Sequence, residues 1–181
     1  MPPSVLYFAY GSNLPRARLE ARLGKVAVSG AGWLRGYQLR FHKRGIDGSG
    51  KCDAWFSGND ADEVHGAMFV LSATQLTRLD GFEGAGYACH SVVAHTASGP
   101  REVVTYRAHE HAIASGLQPF DWYLALVRHG AHEHGLPGWY RARMDTIESM
   151  EDVDTERARH HFDLIESQTP SHPMRRSHTG F

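Results

Sequence analysis

The chain has 181 residues, enough for one domain with a sizeable core, and no internal repeat calls for a second. Its net charge is −1, with 19 basic and 20 acidic residues interspersed, which leaves neither the basic stripe of a nucleic-acid binder nor a polybasic membrane-surface segment. No apolar run is long enough to span a bilayer, the first residues lack a leader pattern, and Cys52 and Cys89 read as reduced thiols; the expectation is a cytoplasmic protein with a small-molecule partner.

Val5 to Tyr10 is β-branched and aromatic enough for a buried strand, and it breaks abruptly at Gly11, which is expected to take a positive φ. Past that bend the backbone N–H groups of Ser12, Asn13 and Leu14 can converge as an anion-holding nest, helped by the Ser12 hydroxyl and the Asn13 amide. The plainer alternative is a strand-to-helix turn capped by Asn13. Pro15 to Leu23 reads as a short helix with Pro15 in its first turn and Leu14, Ala17 and Leu23 facing inward. Val26–Val28, Gly32–His42, Cys52–Ser57 and Val64–Leu71 are strand-like runs separated by glycine-rich breaks, and the three glycines between Arg44 and Lys51 predict a mobile loop.

Ser72-Ala73-Thr74-Gln75 has capping-box spacing and opens a helix through about Gly81, which puts Glu83 just beyond its end. Tyr87–Thr96 and Glu102–Ala108 read as an antiparallel pair joined through Ser98-Gly99-Pro100. From Pro119 the spacing becomes helical through Phe120, Tyr123, Leu124 and Val127, with Gly135 as the stop and a second helical segment over Gly138–Ser149. From Glu151 the chain turns polar; Glu156–Arg159 has helical character, Ser167–Phe181 is rich in Ser, Pro, His and Arg, and about the last dozen residues are expected to be disordered.

Three features carry chemistry. The Glu83 carboxylate sits among Phe82, Gly84, Gly86 and Tyr87, where desolvation and a helix C-terminus both favour the neutral acid; the alternative is a solvated loop glutamate. Tyr123 is either a pocket tyrosine or an ordinary core aromatic, and Tyr10 and Tyr87 either line a site or pack behind one. The 13 histidines include His109-Glu110-His111 and His132-Glu133-His134, but neither has the i, i+4 spacing of a helical metal site, so no metal or cofactor is expected.

The run Tyr7-Phe8-Ala9-Tyr10-Gly11-Ser12-Asn13-Leu14 resembles the opening signature of the γ-glutamylcyclotransferase family, Leu79-Asp80-Gly81-Phe82-Glu83-Gly84 with Tyr87 resembles its acid/base segment, and Tyr123 with Gly135-Leu136-Pro137 is similar to its substrate-side tyrosine and following turn. The resemblance spans about residues 5–148. It implies an α+β single domain, a mixed-strand barrel-like sheet surrounded by helices, over residues 1–150; composition makes 151–181 a polar, partly disordered extension. It also implies Glu83 as acid/base, Tyr10, Gly11, Ser12, Asn13, Leu14 and Tyr123 as substrate contacts, and Tyr87 as a further pocket candidate. The implied reaction closes a γ-glutamyl substrate to 5-oxoproline, as in glutathione metabolism, in a monomer or homodimer. Alternatives are a γ-glutamylamine cyclotransferase, a biosynthetic enzyme that removes a γ-glutamyl group, or a non-catalytic module that binds a small carboxylate.

Overall fold

A computed structural model describes residues 4–166. Their first strand, β1 (Ser4–Ala9), carries consecutive buried residues from Tyr7 into Tyr10 because both of its faces are covered, which explains an apolar run without alternation. β1 pairs antiparallel with β5 (Glu63–Ser72), in register from Ser4↔Ser72 to Ala9↔Ala67. β5 pairs with β2 (Ala27–Arg35), β2 meets β6 (Tyr87–Thr96) at Trp33↔His95, and β6 pairs with β7 (Gly99–Ala108). A parallel contact between Tyr7 and Val104 closes the five strands into a mixed barrel, so the α+β expectation holds.

Boundaries differ where a single residue turns the chain. The run expected from Gly32 to His42 is cut at Gly36, whose φ of +83° sends the chain into a separate hairpin of β3 (Tyr37–Arg44) and β4 (Gly50–Phe56). That hairpin docks on the barrel through Ala108 N–H to Asp53 Oδ1 (2.8 Å) and Arg107 Nε to the Ala54 carbonyl (3.1 Å). Its tip, expected to be mobile, is stitched by Asp47, which accepts from the Ser49 N–H and hydroxyl and from Lys51 Nζ. The β6–β7 turn is Ala97-Ser98 rather than Ser98-Gly99-Pro100, because Thr96 Oγ1 bonds across to the Gly99 carbonyl and Gly99 and Pro100 join the strand.

Five α-helices pack outside the barrel among the described residues. α1 (Arg16–Leu23) follows the Gly11–Leu14 turn and buries Leu19 and Leu23. α2 (Ala73–Glu83) opens on the expected capping box, with Gln75 N–H to Ser72 Oγ at 3.2 Å and Ser72 N–H to Gln75 Oε1 at 3.0 Å. It continues past Gly81, so Glu83 is its last residue and Gly84, at φ +69°, ends it. α3 (Asp121–Glu133) stops before Gly135, at φ +61°. α4 (Gly138–Asp145) ends earlier than expected because the Arg128 guanidinium donates to the Met144, Asp145 and Ile147 carbonyls. α5 (Thr155–Glu166) extends well beyond Glu156–Arg159, laying Ala158, Phe162 and Ile165 against the core. The disorder expected for about the last dozen residues lies outside the described residues.

Candidate active site

The Gly11–Leu14 turn sits between β1 and α1, and Gly11 is not in the positive-φ region. Its glycine answers to space: a Cβ there would lie 3.0 Å from Cys52 Cβ and 3.4 Å from Tyr123 Oη. The nest is correspondingly smaller than expected, because the Leu14 N–H donates to the Gly11 carbonyl at 2.9 Å. Leu14 is fully buried under α3, where Gly130 gives it room, and its carbonyl bonds His134 Nε2 at 2.9 Å. Leu14 therefore supports the turn from behind and lines neither the slot nor the cleft, whereas Ser12 lines both.

Asn13 is buried with both side-chain polar atoms engaged. Its Oδ1 accepts from Arg22 Nη1 at 2.8 Å, and its Nδ2 donates to Glu83 Oε1 at 2.7 Å and to Tyr7 Oη at 3.2 Å. It does not cap α1, whose N-cap is Pro15; it lines the slot and its amide is turned to the glutamate. Arg22 Nη1 lies 3.8 Å from the same Glu83 Oε1 and its guanidinium stacks on Phe82, leaving Glu83 Oε2 without a hydrogen bond among the described residues. The Glu83 side chain is 14% exposed. Burial raises its pKa, and Arg22, the Asn13 hydrogen bond and Lys43 oppose that rise without cancelling it.

The tyrosines converge on the Cys52 backbone in β4. Tyr123 Oη accepts the Cys52 N–H at 3.0 Å, and Tyr87 Oη donates to the Cys52 carbonyl at 2.6 Å. These bonds fix both rings around the narrow slot that also holds Tyr10, Gly11, Ser12, Asn13 and Glu83. The Tyr10 hydroxyl is already committed to the Tyr106 carbonyl, so Tyr10 contributes its ring alone. Cys52 itself was not expected at the site; buried, its thiol is pushed up to about 12 and stays protonated, with no nucleophilic character.

The slot opens into a cleft of about 870 Å³ between the β3–β4 hairpin, the end of α2 and α5. Arg18, Arg22, Lys43, Lys51 and Arg157 face it against the carboxylates of Glu83 and Asp47, a positive balance suited to an anionic ligand. Sequence reasoning missed these cations, although Arg18 and Arg22 stand at i, i+4 on one face of α1. His109 and His111 stack on each other at 5.1 Å, and among the described residues no group of three or more His, Cys, Asp or Glu is placed to hold a metal ion.

Known proteins share this architecture and sequence. γ-Glutamylcyclotransferases from Bos taurus and Homo sapiens are each 28% identical over 152 residues, covering 80% of this chain and 79% of the relative. A solved gamma-glutamyl cyclotransferase superposes with a TM-score of 0.79 at 26% identity, covering 91% of this chain and 99% of that one. Residues 7–124, from the strand before the turn to the tyrosine in α3, match the family described as Gamma-glutamyl cyclotransferase, AIG2-like, and the chain belongs to that family.

Proposed function

We propose that this chain is a γ-glutamylcyclotransferase in which Glu83 moves the protons and the slot between Ser12, Tyr87 and Tyr123 folds the substrate. The observation that carries the reading is the Glu83 carboxylate: largely buried where slot and cleft meet, raised in pKa, and held through Oε1 by Asn13 while Oε2 has no hydrogen bond among the described residues. The substrate's α-amine, with an ordinary pKa of about 8, is largely an ammonium at neutral pH and must lose a proton before it attacks. A carboxylate tuned upward is the matched base for that step and the matched acid for the next.

Glu83 takes one proton from the ammonium, and the freed amine nitrogen bonds to the γ-carbonyl carbon. As the amide C–N bond breaks, Glu83 passes that proton to the leaving nitrogen, the attacking nitrogen's second proton follows through the same carboxylate onto the departing amine, and no water is consumed. The products are 5-oxoproline and a free amino acid or amine. Holding the flexible glutamyl chain with nitrogen against carbonyl carbon is the larger task, worth up to roughly 7–11 kcal/mol in well-oriented intramolecular reactions. The backbone at Gly11 and Ser12 and the Tyr123 hydroxyl, whose oxygen accepts from Cys52 and whose hydrogen can still donate, supply that orientation and stabilise the developing oxyanion. Incubation with γ-glutamyl amino acids, γ-glutamylamines and glutathione, followed by measurement of 5-oxoproline, tests this reading: release from at least one class is expected, and release from none contradicts it.

A further inference from the structure

Tyr123 is held at both ends by consecutive residues of β4. The Cys52 N–H donates to its hydroxyl oxygen at 3.0 Å, and the Lys51 ammonium stands 4.8 Å from its ring centroid. The same ammonium lies 4.9 Å from the Trp122 ring and 5.6 Å from the Phe120 ring, so three aromatic faces at the start of α3 surround it. A cation over an aromatic face is attracted by the ring quadrupole, more strongly out of water, and the Lys51 side chain is only 14% exposed. The hydroxyl has little slack on its other side, where a Cβ on Gly11 would already lie 3.4 Å away.

The ammonium is itself anchored. Nζ donates to Asp47 Oδ2 at 2.7 Å and to Ser49 Oγ at 2.8 Å, which commits two of its three hydrogens within the hairpin tip. Gly45 clears the space for this clasp, since a Cβ there would lie 2.5 Å from Asp47 Oδ1 and 2.6 Å from Lys51 Cε. Burial lowers the Lys51 pKa, and the hydrogen bond and charge of Asp47 oppose that fall. The anchor matters because the strand ladder does not fix this point. β4 pairs with β3 at Asp53↔Arg40 and at Lys51↔Lys43, and the register shifts between them, so Cys52 sits at the irregularity and its backbone depends on side chains for its place.

We infer that Lys51 is a positioning residue for the cyclisation: anchored by Asp47 and Ser49, its ammonium holds the Tyr123 ring while the adjoining Cys52 amide holds the hydroxyl, and together they set where that hydroxyl meets the substrate. The inference rests on the proposed cyclotransferase reaction. Lys51 acts through the protein, on the phenol, and touches no reacting atom.

Lys51→Met keeps most of the side chain's length and removes the charge. It should lower kcat for 5-oxoproline release by roughly 10- to 100-fold, with KM changed far less, because orientation is what is lost. In a Tyr123→Phe background no hydroxyl is left to place, and the same substitution should cost about twofold at most, the resolution of such a cycle. Amide hydrogen exchange at Cys52 reads the position without turnover: it should quicken in Lys51→Met, by up to roughly tenfold, as the Tyr123 oxygen drifts. Unchanged kcat in Lys51→Met overturns the inference, as does an equal loss in both backgrounds, or a rise in KM alone, which would make Lys51 a ligand contact. If Lys51→Met does not fold, Asp47→Asn, which leaves the ammonium but loosens its anchor, is read in the same cycle. A smaller loss of kcat that disappears with Tyr123→Phe supports the inference, and an absent or additive loss overturns it. Quickened Cys52 exchange in the variant of a protein whose wild type releases no 5-oxoproline overturns the reaction and keeps the positioning. Normal turnover and exchange in the variants overturn the positioning alone.

Discussion

Gly11 acts through its size. With Cys52 Cβ 3.0 Å and Tyr123 Oη 3.4 Å from the position of a Cβ, Gly11→Ala has no backbone strain to relieve but must push the tyrosine hydroxyl or the β4 backbone aside. Displacements of that size cost up to roughly 10²-fold in rate where orientation is the main contribution. We expect kcat/KM to fall while the melting temperature changes little, and a variant as active as wild type would remove the Tyr123 position from the account. Glu83 makes the opposite trade. Its folded pKa is raised above the ordinary 4.5, so its ionisation is harder in the folded state, and the stability linked to it declines as pH rises from 4.5 through the folded value. Glu83→Gln removes that dependence. Melting curves from pH 4 to 8 should show the wild type losing stability relative to the variant as pH increases, and a gap that narrows instead would mean that Arg22 and Asn13 outweigh burial. The motif around Glu83 was legible because its residues are contiguous. Its orientation by Asn13 was not, because the partners lie on different elements and no local periodicity relates them.

Helix α5 belongs to the cleft as much as to the chain's polar end. It is tied down at Asp152, which is buried and accepts from Trp122 Nε1 at 2.7 Å and from Arg157 Nε at 2.6 Å. The Arg157 hydrogen bonds are the main reason that the Asp152 carboxyl is held well below the usual 3.8. That contribution is present above 3.8 and is lost as pH falls towards the folded value. Asp152→Asn should cost roughly 1–3 kcal/mol at pH 7, because it weakens a charge-assisted contact to a partly exposed arginine, and the loss should shrink as the pH is lowered. Urea unfolding at pH 7 and pH 2 measures this; an unchanged midpoint at pH 7 would show that α5 is held by its apolar face alone. At this scale, elements with local signals were readable, as the Ser72–Gln75 capping box and the Gly135 stop show. The length of α5 was hidden because Ala158, Phe162 and Ile165 are sparse among charged residues and become a face only where the helix meets the core, beside α3 and α1. The Gly36 turn was hidden for the converse reason: one glycine within a strand-like run leaves the alternation intact on both sides.

The barrel gathers a site from distant parts of the chain, with the turn after β1, the end of α2, the middle of β4 and α3 meeting at one slot. Closure by β1 and β7 cannot be read from strand patterns, since Tyr7 and Val104 are related only by the completed barrel. The family resemblance carried the architecture where the residues alone did not. Among the described residues the slot and cleft are lined no further along the chain than His161, and the sequence after Glu166 is polar and rich in Ser, Pro, His and Arg. A chain ending at Glu166 should therefore keep its melting temperature and turnover, and a large fall in either would give the terminal residues a structural role.

The central claim is that Glu83 carries the protons of an intramolecular cyclisation. Its most direct test is the pH–rate profile of 5-oxoproline formation by folded wild-type and Glu83→Gln protein, alongside substrate binding to each. Turnover should drop by roughly 10²–10⁴-fold with binding far less affected, and an ionisation above that of an ordinary glutamate should be present in the wild type and absent from the variant. Near-normal cyclisation by Glu83→Gln, with the profile unchanged, would contradict the account.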